Sequence, residues 1–156
     1  MNAIVSNSMA KKNYAQAVDV AIIRGLITVA VKIEGDAKLL APVDTGRLAG
    51  SITYATKKKA SGVESPATYS DGVSTPRDKW MAYVGTNVEY AADVEYGTRP
   101  HSINGPVKIR GVGWRYIKKH PGTKKQSFLR AAIDNNRHGA LRDFKAEIHG
   151  GLKRGK

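Results

Sequence analysis

Four histidines, His101, His120, His138 and His149, are the side chains in this sequence best suited to metal or proton chemistry. Two histidines four residues apart on a helix can share a metal ion, and no pair here has that spacing. Glu147 and His149 are two apart, which turns them to different sides of a helix. The sequence has no cysteine, so disulfides, thiolate metal sites and cysteine nucleophiles are excluded. It contains neither the GxSxG elbow of a serine hydrolase nor a glycine-rich phosphate loop. Asp93 and Glu95 are neighbours that diverge on a helical turn, and Asp44 beside Arg47 is explained by helix capping. No nucleophile, base and orienting group can be assembled. The expectation is a protein that is not an enzyme and needs neither metal nor cofactor.

One constellation has chemical content, and it is basic and aromatic. Residues 101–125 carry Lys108, Arg110, Arg115, Lys118, Lys119, Lys124 and Lys125 and no acid. Trp114 and Tyr116 lie among them. Cations hold phosphates while aromatic rings stack bases, as in proteins that bind single strands. Strand alternation gives a plainer account: Trp114 and Tyr116, two apart, share the inward face and build the core while Arg115 points outward. That plainer account is the expected one. No helix-turn-helix, zinc-finger or RNA-recognition signature accompanies the patch.

The charge continues beyond this segment. The whole chain carries +13 at pH 7, from 26 basic and 13 acidic residues. Residues 80–100 are the exception, with Glu89, Asp93 and Glu95 against Arg99. An uneven basic balance implies a polyanionic neighbour, whether nucleic acid, an acidic protein face or anionic lipid. A solvated surface would use the same residues for solubility alone.

The elements that position these residues follow from length and periodicity. The 156 residues suit one domain large enough to bury a core without disulfide or metal staples. Residues 1–12 lack the order of a signal peptide and read as a flexible N-terminal arm. No apolar run is long enough for a membrane span. Val18, Ile22, Leu26, Val29, Ile33 and Leu40 recur at helical spacing, and Pro42 ends that helix. Asp44 or Thr45 can cap a short turn after it. Ser51 to Thr56 and Trp80 to Thr86 read as strands. Residues 57–79, rich in Lys, Ser, Gly and Pro, read as a mobile loop or extended hairpin. Residues 88–97 suggest a short helix carrying Tyr90 and Val94, closed at Gly97. Val107–Ile109 and Trp114–Ile117 flank Gly111–Gly113 as a hairpin. A last helix runs from about Gln126 to His149, with Ser127 or Thr123 as cap, and residues 150–156 form a flexible basic tail. The order predicts a single α+β domain over 13–149, two long helices packed on a small, mostly antiparallel β-sheet. Leu26 and Phe144, on the two apolar stripes, are expected to be buried.

Three segments, LLAPVDTGRLAGSI (39–52), VGTNVEYAADVEYGTRPH (84–101) and HPGTKKQSFLRAAID (120–134), carry a resemblance when taken in this order. Together they resemble the small head–tail joining proteins of long-tailed double-stranded-DNA bacteriophages, also called neck, tail-completion or minor tail proteins. The likeness covers about residues 15–145, with 57–79 as a variable insertion. It implies a virion structural protein located at the head–tail junction, and in the host cytoplasm during assembly. It implies a homo-oligomeric ring, sixfold to match a tail tube, around the path of the DNA. Connector proteins would lie on the head side and tail-terminator or tail-tube proteins on the other. Packaged DNA could be touched non-specifically by the seven cations of 101–125. The alternative from a different class is a basic nucleic-acid-binding module.

Overall fold

The computed structural model describes residues 2–44, 46–57 and 76–154, with backbone alone for 2–12 and 154. The expected mobile loop over 57–79 falls largely outside the described residues, as do Thr45, Gly155 and Lys156. Helix α1 spans Asn2–Leu40, and α2, Arg47–Ser51, follows the turn at Pro42. Strands β1 (Thr53–Thr56) and β2 (Ala82–Gly85) pair antiparallel, with Thr53 opposite Gly85 and Thr56 opposite Ala82. Helix α3 is Ala91–Tyr96. Strands β3 (His101–Ile109) and β4 (Gly113–His120) form a second antiparallel pair, and α4 spans Leu129–Arg154. The class is α+β with two long helices, as expected. The strands, however, form two separate two-stranded ribbons instead of one sheet.

Both ends of the chain depart from expectation. The segment read as a loose arm over 1–12 is helical from Asn2, and the expected basic tail is helical as far as Arg154. The N-terminal segment carries no proline or glycine to stop the helix, and α4 continues through Gly150 and Gly151 because Gly151 packs closely on α1, where a Cβ would lie 2.8 Å from that of Ala21.

Helices α1 and α4 run antiparallel and pack from Ala21 against Gly151 to Asp36 against Asn136. Small residues on α1 set the closeness of that contact. Ala21, Ala30 and Ala37 are buried together with Ile23, as is Ala41 just past the helix, whereas Leu39 is 84% exposed and Leu40 44%. A Cβ on Gly25 would lie 2.6 Å from the Phe144 ring, so this glycine is a seat for the ring and not a break in the helix. Lys32 pairs with Asp143, and Asn136 donates to Asp36 at 2.6 Å. The principal core lies where α1 ends, and gathers Ala37, Ala41, Leu48, Ile52, Val88, Ala91, Phe128 and Ala132. Further along, Leu26 and Phe144 are only half-buried, contrary to expectation. They line an apolar groove of about 400 Å³ with Val29, Ile33, Val84 and Leu141. The stripe periodicity located the contact face of α1, but its alanines, Gly25 and Ile23 take the buried positions and leave Val18, Ile22, Leu26, Val29 and Ile33 half-buried at the margin.

Candidate functional site: the basic hairpin and its anchor

The β3–β4 hairpin carries the cationic segment, and the three family-like segments build its anchor. The chain leaves α3 through Gly97 and Thr98, runs out and back through the hairpin, and returns through Gly122 and Thr123. Thr98 and Thr123 clasp across this neck. Thr98 N donates to Thr123 O at 3.1 Å, Thr123 N donates to Thr98 O at 3.2 Å, and their hydroxyls lie 3.1 Å apart. The two backbones approach so closely that a Cβ on Gly122 would sit 2.2 Å from Thr98 O. Gly122 also has φ of 86°, which side chains rarely tolerate. Just inside the clasp, Gln126 N donates to Val94 O at 2.9 Å.

Beneath the clasp lies Glu95, the one buried acid among the described residues, 7% exposed. Its carboxylate accepts the N–H groups of Phe128 at 2.9 Å, Leu129 at 3.0 Å and Arg130 at 3.1 Å. These are the amides at the start of α4 that no helical carbonyl can satisfy. A carboxylate there also meets the positive end of the helix dipole. The sequence offered Ser127 or Thr123 as the cap. The structure assigns Ser127 Oγ instead as a donor to Glu95 O at 3.2 Å, and commits Thr123 to Thr98. Glu95 was missed because its target amides lie 33 to 35 residues away, beyond any local capping pattern. The expected cap of α2 fails in a similar way: its N-cap is Gly46 without a side-chain bond, and Asp44 pairs with Arg110 at 2.7 Å.

All seven cations named for 101–125 are exposed, but they do not form one surface. In the antiparallel register Lys108 lies opposite Trp114, and Pro106 opposite Tyr116. Alternation places Trp114, Tyr116 and Lys118 on one face of β4 and Arg115 and Ile117 on the other. The second face includes the half-buried Val107, which lines a cleft of about 660 Å³ toward α3 with Tyr90, Asp93, Val94 and Ile103. Arg110, at the hairpin turn, is tied to Asp44. Lys124 and Lys125 sit beyond the clasp.

The aromatic pair corrects the expectation. Trp114 is 65% exposed and Tyr116 66%, so neither builds the core. Alternation was read correctly, but the side of the ribbon that turns inward was not, because both faces carry apolar residues. Tyr96 at the end of α3 is likewise 73% exposed, and α3 buries Ala91 and Glu95.

At the base of the hairpin His101 and His120 face each other across the strands, ring centroids 5.2 Å apart. His101 Nδ1 lies 2.9 Å from Arg99 O, and His120 Nδ1 accepts from Gly122 N at 3.1 Å. Among the described residues, no three His, Asp or Glu gather where they could hold a metal ion, and no helix is long and apolar enough to cross a membrane. No family model matches the chain, and neither a curated protein nor a solved structure proves similar to it.

Proposed function

We infer that this chain is a virion structural subunit, one member of a closed ring at the head–tail junction of a long-tailed DNA phage. The observation that carries the reading is where the three family-like segments meet. Leu48 from the first, Val88 and Ala91 from the second, and Phe128 and Ala132 from the third share one core. Glu95 and Thr98 of the second hold Phe128 and Thr123 of the third. The residues that carry the resemblance are thus committed to hydrogen bonds and packing, the work of a scaffold that presents a surface.

The hairpin presented is cationic on both faces, and its like charges repel one another in an isolated subunit. A ring around a polyanion recovers that cost through phosphate contacts that carry no sequence information. Head-to-tail contacts close such a ring when the rotation between neighbours fits. Exposed Trp114 and Tyr116 favour a second reading, a nucleic-acid-binding module that acts without a ring.

Electron microscopy of virions and of purified neck complexes tests the first reading. The expected result is a sixfold ring of this protein between head and tail. Charge reversal at Lys118, Lys119, Lys124 and Lys125 should leave the fold intact and impair head–tail joining. Absence of the protein from the particle, or its presence only as monomers on free DNA, would replace the ring with the second reading.

A further inference from the structure

We propose that the outer face of the β3–β4 hairpin, built from Lys108, Trp114, Tyr116 and Lys118, is a binding site for single-stranded nucleic acid. The proposal stands on the geometry of this face and does not require the ring.

The exposure of the two rings is the first argument. An indole and a phenol at 65% and 66% exposure leave apolar surface in water that burial would stabilise. The second is their spacing. Residues two apart on a strand project about 6.6–6.8 Å apart on one face, which matches two base steps at about 3.4 Å each. Alternate bases can therefore lie on Trp114 and Tyr116. The third is charge. Lys108 is the register partner of Trp114, and Lys118 follows Tyr116 along the strand, so each aromatic residue has a lysine as its neighbour on this face. Among the described residues neither lysine has an acidic partner, and residues 101–125 contain no acid.

These features favour a strand over other occupants. A second copy of the chain would bring +13 against the same cations. A duplex hides the faces of its bases in the stack and would use the lysines but not the rings. An unpaired strand uses both, with phosphates on the ammonium groups and bases on the rings.

The chain has two tryptophans, so Trp80→Phe leaves Trp114 as the sole indole reporter. In that background, titration with a twelve-residue oligothymidylate at low salt should quench Trp114 emission saturably. In the otherwise natural chain, anisotropy of a labelled oligothymidylate should show Trp114→Ala weakening binding by about tenfold or more, with Trp114→Phe restoring most of it. Lys108→Gln with Lys118→Gln should lower the slope of log K against log salt by about 1.4, at about 0.7 per phosphate contact on a single strand. Unchanged melting temperatures would confirm that these exposed substitutions leave the fold alone. The proposal is overturned by an absence of quenching, or by Trp114→Ala binding as well as the parent. It is also overturned if a duplex of the same length binds more tightly than the single strand. A blue shift of Trp114 emission that grows with protein concentration alone would assign the face to contact between copies and would equally sink it.

Discussion

Replacing Glu95 tests whether a single side chain holds the second and third family-like segments together. In Glu95→Ala, the amides of Phe128, Leu129 and Arg130 lose their acceptor at the start of α4. A hydrogen bond to a charged group contributes about 1.5–3 kcal/mol. The three bonds share two oxygens and one charge, so they do not add, and water can reach the amides of Leu129 and Arg130 more easily than that of the buried Phe128. A loss of about 3–4 kcal/mol is expected, the size of one or two buried amides left without an acceptor at about 1–3 kcal/mol each. At about 2–4 °C per kcal/mol for a domain of this size, the melting temperature should fall by roughly 6–16 °C. Glu95→Gln keeps one acceptor oxygen but loses the charge at the helix N-terminus, and should cost about 1–2 kcal/mol. Urea and thermal unfolding followed by circular dichroism measure both, with the exposed Asp93→Ala on the same helix as control. Hydrogen exchange at the Thr98 and Thr123 amides should accelerate alongside, because the clasp sits directly above the carboxylate. If Glu95→Ala falls within about 0.5 kcal/mol of Asp93→Ala, the size of an ordinary surface substitution, the reasoning is refuted.

Two further outcomes follow from the geometry. Gly122→Ala combines a left-handed backbone with overlap against Thr98 O, whereas Gly111→Ala at φ 79° meets open space. Both should lose about 1–3 kcal/mol from backbone strain, and only Gly122→Ala should lose more and release the clasp; equal losses in denaturant unfolding would show that the close approach is not needed. A hydrogen bond from Lys32 holds the Asp143 carboxyl below its ordinary range, against a smaller opposing effect of desolvation, with the Lys32 and Arg142 charges also lowering it. A depressed folded value stabilises above the ordinary Asp value of about 3.9 and loses that contribution as pH falls through the lower folded value. Melting temperatures of the parent and Lys32→Met, followed from pH 6 to pH 2, should therefore differ most above about pH 4 and converge in acid; a constant gap would argue against the pairing.

The sequence by itself determined the α+β class, the order of the described elements and the place of the cations, although α1 and β3 begin well before the expected starts and α4 ends after its expected stop. Those features are local. Helical spacing marks α1 and α4, proline and glycine mark the breaks, and alternation marks the strands. The tertiary structure alone decided which faces turn inward. Period two reveals that Trp114 and Tyr116 share a face, but both sides of the hairpin carry apolar residues, so only the position of α3 decides that Val107 turns toward the domain and the rings toward solvent. The same limit applies on α1, where alanines and Gly25 take the buried line because closeness to α4 is decided by the partner helix. It applies most fully to Glu95. An acid in a short helix looks like a surface charge until the fold brings the start of α4, more than thirty residues later, against its carboxylate, and the unsatisfied amides there make its burial favourable.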